Sequence, residues 1–193
     1  MSETKQRFLD GLHTIKTLTG VSQSDFDTLK EAAPEATQWV DSVVQFFYDT
    51  IFAHARTAAV FHDGERPARE QTLQDWYLAL FSTANDEDDF WNAQGRIGFA
   101  HIRLHVNNEF LIGIASRLSE LFTTRSMEAY GPERGLVVAQ AFNRILRTVV
   151  GLTAEGYDVM TQLAFSEATG AGVELIDRLV QESVGDIQAE LTE

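Results

Sequence analysis

Histidine is the residue type that defines the chemistry available to this sequence. The 193-residue chain has five histidines and no cysteine, which excludes disulfides, thiolate zinc sites, iron–sulfur clusters and cysteine nucleophiles. Imidazole is therefore the main candidate ligand for a transition metal. The sequence has neither a glycine-rich phosphate loop nor a serine in a nucleophile elbow. Nothing in it predicts an enzyme.

His101 is the most informative of the five histidines. Residues 96–103 read Arg-Ile-Gly-Phe-Ala-His-Ile-Arg, and Ile97 shares an apolar helical face with the imidazole. A buried imidazole needs a partner, which from the pattern alone is either a backbone carbonyl or a metal. His101 and His105 could also form an i, i+4 zinc pair. Ile102 stands where a zinc hydrolase has its glutamate, so zinc-dependent hydrolysis is not predicted.

Tyr48 is the second candidate functional residue. It lies between Phe47 and Asp49 in a segment that stays apolar for several helical turns. A buried tyrosine hydroxyl usually finds a hydrogen-bond partner. The pattern alone therefore favours core packing with a polar contact at the rim.

The elements that must position these residues are all helical. Apolar residues recur at three-to-four spacing, and alternating strand-like runs are scarce. We predict about eight helices, and we place Pro34, Pro67 and Pro132 in the first turns of three of them. Residues 55–65 are predicted to be irregular, residues 85–89 to form an acidic turn, and residues 126–131 to break the chain before a long helix. Short connections favour an orthogonal helical fold.

Composition limits the protein class. Hydrophobic residues make up 44% of the chain and charged residues 23%, as in a globular domain. The formal net charge is −14, which disfavours nucleic acid as a partner. No apolar run approaches the length of a membrane span, and the N-terminus lacks the apolar centre of a signal peptide. We therefore expect a cytoplasmic protein with no membrane partner.

The segment around His101 resembles the proximal-histidine region of globin-coupled sensors and protoglobins. In that family, Ile-Gly-x-x-His-x-Arg precedes an aromatic-rich helix start with a later glycine, which Phe110 and Gly113 match here. Phe47-Tyr48-Asp49 is similar to the family's Phe-Tyr-Asp. The helix predicted before Ser22 is typical of this family rather than of myoglobin-type globins.

Two departures from the family pattern lie just after His101. His105 occupies a position where the family often has glycine. Residues 107–109 read Asn-Asn-Glu where the family often has a proline. Both changes concern the end of the helix that carries His101, and they leave His101 itself aligned.

The resemblance implies a globin fold with an extra N-terminal helix and a C-terminal extension helix. It implies haem b as the cofactor, with His101 as the iron ligand and Tyr48 as hydrogen-bond donor to a bound diatomic gas. Oxygen is the first candidate, and CO and NO are further ones. His105 is expected at the haem rim. Four other side chains are expected near the haem: Phe47, Thr72, Leu73 and Trp76. Phe47 and Trp76 could equally be ordinary core residues.

The resemblance also implies a signalling role. Residues 1–167 would form the sensor globin domain, and residues 168–193 a linker and amphipathic helix toward an output domain. In this family the last two main helices form the dimer interface. These helices correspond here to residues 112–121 and 136–163. A short, imperfect heptad seam extends this surface, with Asp177 at one core position: Val173, Val180, Val184, Ile187 and Leu191. A helix that folds back onto the globin is the alternative.

Two other functions stay open at this point. One is a stand-alone globin that stores, transports or converts its ligand. The other is a haem-free, globin-like interaction module.

Overall fold

The computed structural model describes residues 3–82 and 87–190, and its regular elements in these ranges are all helical. They are α1 (Glu3–Thr19), α2 (Gln23–Ala36), α3 (Val40–Phe52), the single turn α4 (Ala55–Ala58), α5 (Arg66–Ala79), α6 (Glu87–Arg103), α7 (Asn108–Thr169) and α8 (Val173–Glu190), with a 3-10 turn at Thr37–Trp39. The predicted all-α class is confirmed.

Three of the predicted boundaries were wrong. Pro34 lies inside α2 rather than at the start of the next helix. It removes one i→i−4 backbone hydrogen bond, the one to the Lys30 carbonyl, close to the end of α2. Residues 55–65 contain the short α4. Residues 87–89 of the acidic run lie in the first turn of α6 rather than in a turn before it. This agrees with the expectation that residues 86–89 favour the start of the next helix, whose N-terminal dipole attracts carboxylates. Residues 85 and 86 lie outside the described ranges.

Helix α7 consists of two antiparallel arms joined at Gly131. Gly131 has φ 75° and ψ 173°, a conformation that suits glycine. The second arm (residues 132–169) runs back along the first arm (residues 108–130), and the rings of Phe122 and Phe142 stack with centroids 3.9 Å apart. A Cβ at Gly135 would lie 2.4 Å from the carbonyl oxygen of Ser126. The predicted break is therefore present, but it is confined to one residue.

The arms of α7 form the centre of the molecule, and α1, α2 and α6 pack against them. The predicted extra N-terminal helix is part of this packing. Gly95 of α6 leaves room for Phe8 of α1, since a Cβ there would lie 2.5 Å from the Phe8 ring. The largest fully buried apolar side chains mark the core: Leu29, Tyr77, Leu80, Trp91, Phe122, Val138, Phe142, Ile145 and Leu152.

Polar contacts fix α2 against α7. The guanidinium of Arg144 donates to the buried carboxylate of Asp25, with Nη2 2.6 Å from Oδ1. The hydroxyl of Tyr130 donates to the carbonyl of Ala32 at 2.7 Å. These contacts hold the two helices in register, because each buried polar group has a specific partner.

Among the described helices, α7 alone is long and apolar enough, by length and composition, to cross a membrane. The prediction from uninterrupted apolar runs missed it because its apolar residues are interspersed with polar ones. More than half of its most apolar stretch is buried inside the fold. Packing against α1, α2 and α6 therefore accounts for its apolar character.

Helix α8 follows α7 after Gly170, which adopts the left-handed conformation that ends many helices. Ile176 in its first half is buried. Val173 is partly buried. Five large apolar side chains of α8 are about half exposed: Leu175, Leu179, Val180, Val184 and Ile187. Leu191 of the predicted seam lies outside the described residues.

Candidate functional site

His101 lies in the last turn of α6 and is partly buried. Its Nδ1 is 3.0 Å from the carbonyl oxygen of Ile97. Because a carbonyl oxygen only accepts, Nδ1 carries the proton and Nε2 carries a free lone pair. Burial lowers the pKa of His101, and the charge of Arg69 lowers it further, against the opposing effect of the Ile97 bond. The ring is therefore neutral and in one tautomer, as a metal ligand must be.

The chain leaves α6 through a tight cap directly after His101. The N–H of Val106 donates to the His101 carbonyl at 3.0 Å, and the N–H of His105 donates to the Ile102 carbonyl at 3.1 Å. This pair of bonds is a Schellman motif, which places the residue before Val106 in the left-handed region. His105 accordingly has φ 55°. It is exposed and lies beyond the end of α6, so it does not continue the helical face that carries His101.

Tyr157 of α7 closes this cap. Its hydroxyl is 3.1 Å from the carbonyl oxygen of His101 and also contacts that of Val106. Burial raises the pKa of Tyr157, so the phenol keeps its proton. Sequence reasoning missed this residue. Its spacing from Thr153 places it on the inner face of α7, but no local signal identifies its partner 56 residues away.

Tyr48 lies in α3 and is buried among other aromatic rings. The Phe47, Phe61 and Phe52 rings have centroids 5.0, 6.0 and 6.4 Å from it. Burial raises the pKa of Tyr48 to about 12. Within residues 3–82 and 87–190, no hydrogen bond joins its hydroxyl to another side chain or carbonyl. The Tyr48 ring is therefore held by packing, while its hydroxyl donates no hydrogen bond to another described residue.

The other predicted pocket residues are spread over α3 and α5. Phe47 is partly buried beside Tyr48, and Leu73 is partly buried on α5. Trp76 is tied to α6, because its indole N–H donates to Oε1 of Gln94 at 3.0 Å. The hydroxyl of Thr72 donates to the Ala68 carbonyl at 3.0 Å, and the side chain is exposed. Their roles toward a haem stay predictions.

Arg69 connects the two candidate residues electrostatically. This residue of α5 lies close enough to both rings for its charge to lower the pKa of Tyr48 and of His101. It also pairs with Glu65 at 3.6 Å. The i, i+4 spacing of that pair is typical of an exposed helix face, so sequence reasoning did not place Arg69 near the site. Helices α3, α5 and α6 thus surround one region.

The donor set fits haem better than a protein-bound zinc ion. No group of three or more histidine and acidic side chains that could hold a metal occurs among the described residues. A haem iron needs only one axial protein ligand, since the porphyrin supplies four nitrogens. His101 offers that single ligand, with Nδ1 bonded and Nε2 free.

Comparisons with known proteins identify the family and the fold of the chain. The Protoglobin family matches residues 10–159. The globin domain of a Geobacter sulfurreducens globin-coupled sensor has a similar structure, with a TM-score of 0.67 and 22% identity over 75% of this chain and 96% of that one. An uncharacterized protein of Methanocaldococcus jannaschii, MJ1356, is 23% identical over 100 residues, or 51% of this chain. The match spans about half of that relative, 53% of its length.

The structural similarity establishes the globin fold, and the family match covers α2 to α6 and most of α1 and α7. His101, Tyr48, Arg69 and Tyr157 all lie inside the matched range. The chain is a globin-type domain and belongs to the Protoglobin family.

Proposed function

We propose that residues 1–167 form a haem-based gas sensor domain in which His101 is the iron ligand. The observation that carries this proposal is the state of His101. Its Nδ1–H bond to Ile97 fixes the ring and leaves Nε2 as a lone-pair donor. Haem b, when bound, supplies an iron atom whose open face binds a diatomic gas. We propose a sensing rather than an enzymatic role for this domain, acting in the cytoplasm.

Tyr48 is proposed as the donor that holds the gas. A phenol whose pKa is about 12 is protonated throughout the physiological range. Because its hydroxyl has no partner among the described residues, donation to an incoming ligand breaks no hydrogen bond to any of them. Oxygen is the most polar candidate when bound and gains most from this donor. CO and NO are further candidate ligands.

The remaining residues shape the space between α3, α5 and α6. Phe47 and Leu73 supply partly buried apolar surface, and Trp76 joins α5 to α6 through Gln94. A haem pocket lined in this way would exclude water and strengthen the few polar contacts inside it. Thr72 is the weakest member of this set, because its hydroxyl already bonds to its own helix.

Residues 168–193 are proposed as a linker and signalling helix, with dimerisation through α7 and α8. Ile112, Leu136 and Val137 on the arms of α7 are about half exposed, as are Val180, Val184 and Ile187 on α8. Apolar side chains clustered along exposed helix faces favour association with another helix. Glutamate at Val184 and Ile187 should weaken the dimer, and a chain that stays monomeric at high micromolar concentration in sedimentation would contradict this part.

An absorption spectrum of the purified protein, reduced with and without oxygen, tests the proposal. We expect a haem Soret band that shifts reversibly when oxygen is added. A colourless chain that takes up no added haem would instead favour a haem-free interaction module. A haem protein that binds oxygen but stays monomeric, with no response in α8, would favour a stand-alone globin.

A further inference from the structure

The turn of α6 that carries His101 lies directly on α7. A Cβ at Gly98 would lie 3.5 Å from Oγ1 of Thr153, and one at Gly156 would lie 3.8 Å from Cδ1 of Ile102. With a glycine on each helix, the two backbones approach closely at this point. A shift of the His101 turn is therefore felt first by residues 153–157 of α7, because close-packed interiors transmit displacement.

At the end of this contact, one hydroxyl faces two acceptors. The oxygen of Tyr157 lies 2.5 Å from the Val106 carbonyl oxygen and 3.1 Å from that of His101, so Val106 is the nearer acceptor and His101 the second one. Carbonyls cannot donate, and a phenol has a single proton, so full hydrogen bonds to both cannot form together. The His101 carbonyl also accepts the N–H of Val106 at 3.0 Å. The phenol proton of Tyr157 therefore has two competing acceptors. One is the carbonyl of His101 in α6, and the other is the carbonyl of Val106 just after the cap of α6.

The segment of α7 beyond Tyr157 leads to α8 through a braced turn. Oγ of Ser166 donates to the Ala171 carbonyl at 2.8 Å, and the N–H of Gly170 donates to the Ser166 carbonyl at 2.8 Å. The N–H of Ala171 in turn donates to Oγ1 of Thr169 at 3.2 Å. These bonds fix how α8 leaves α7, so a movement at the end of α7 changes the position of α8.

We propose that Tyr157 is a positioning residue that couples the backbone of His101 to α7 and, through it, to α8. A displacement of the His101 carbonyl shifts the phenol proton toward the Val106 carbonyl, or back. Because Tyr157 belongs to α7, this exchange changes the force between the cap of α6 and the last three turns of α7. The proposal rests on the proposed function, since it takes His101 as the ligand.

Hydrogen exchange of the full chain with bound haem, with and without carbon monoxide, tests this coupling in Tyr157→Phe. Tyr130→Phe is the matched control, because Tyr130 also lies on α7 and donates to a single backbone carbonyl, that of Ala32. In the unaltered protein we expect carbon monoxide to change exchange in residues 158–184 roughly two- to tenfold, as the net worth of one hydrogen bond allows. Tyr157→Phe should bring that ratio to about one, and Tyr130→Phe should keep it.

A second measurement needs no variant. Infrared difference spectra of protein labelled with 13C at the histidine carbonyls should show a labelled band that changes on adding carbon monoxide, as the His101 carbonyl loses or gains the phenol. Absence of such a band, or an unchanged exchange response in Tyr157→Phe, overturns the coupling while haem and carbon monoxide still bind. A chain that takes up no haem overturns the proposed function and the coupling together.

Discussion

The two sides of the site differ in how their key side chains are held. On the side formed by α6 and α7, the Nδ1 of His101 is bonded to Ile97 and its carbonyl to both Val106 and Tyr157. On the side formed by α3 and α5, only ring packing holds Tyr48, and its hydroxyl has no partner within the described ranges. A permanent metal ligand gains from a fixed tautomer and orientation. A donor to a transient ligand must keep its proton unused.

Removing the proposed iron ligand should have the largest effect. His101→Ala deletes the imidazole, and we expect most of the haem to be lost, or the axial-ligand signature of the ferrous spectrum to change. His105→Ala is the control, because His105 is exposed and lies past the end of α6; it should retain the haem. An unchanged ferrous spectrum in His101→Ala would remove the basis for treating α6 as the ligand helix.

Removing the unused donor should affect one ligand more than another. Tyr48→Phe keeps the ring and deletes the hydroxyl, at a loss of about 1.4 kcal/mol, or roughly tenfold faster oxygen dissociation. Carbon monoxide is less polar when bound, so its release should change less. Stopped-flow release of both gases measures this. Equal oxygen rates in the two proteins would mean that another group holds the ligand.

The protonated state of Tyr48 predicts a pH dependence. Burial raises the pKa of Tyr48 to about 12 and raises those of Tyr77, Tyr130 and Tyr157 as well. The folded state therefore holds phenol protons that the unfolded state releases near pH 10. The associated stability is fully present below pH 10 and falls as pH rises from about 10 to 12.

Denaturant unfolding between pH 8 and 11.5, with phenolate absorbance recorded in parallel, measures this effect. Tyr48→Phe should make the loss of stability with rising pH shallower, by up to about 1.4 kcal/mol per pH unit for one proton. If the unaltered protein showed one more phenolate titrating near pH 10 than Tyr48→Phe does, Tyr48 would not be the shielded phenol described above.

The contrast between the two sides also marks what sequence could predict. Periodicity and helix-terminating residues predicted the all-α class and the break before Pro132, and the resemblance identified His101 and Tyr48 as candidates. Pro34 was misplaced because a proline near a helix end has the same local pattern as one at a helix start. Arg69 and Tyr157 were missed because their partners are distant in sequence, and side-chain spacing carries no information about such contacts.

The smallest predicted effect is that of His105→Gly in the cap itself, where the chain departs from the family's glycine. His105 has φ 55°, which costs a non-glycine residue on the order of 1 kcal/mol. Glycine removes that strain but stabilises the unfolded state by about 0.4–1 kcal/mol of conformational entropy, so His105→Gly should raise the free energy of unfolding by no more than about 0.5 kcal/mol.

His105→Val, which adds a β-branched side chain at the same φ, should lower the free energy of unfolding by about 1–2 kcal/mol. Denaturant unfolding of both variants measures the difference. Oxygen release should stay unchanged in His105→Gly, because a Schellman cap with glycine keeps the bonds to the His101 and Ile102 carbonyls. A valine variant as stable as the glycine one would show that the left-handed turn after His101 is absent in solution.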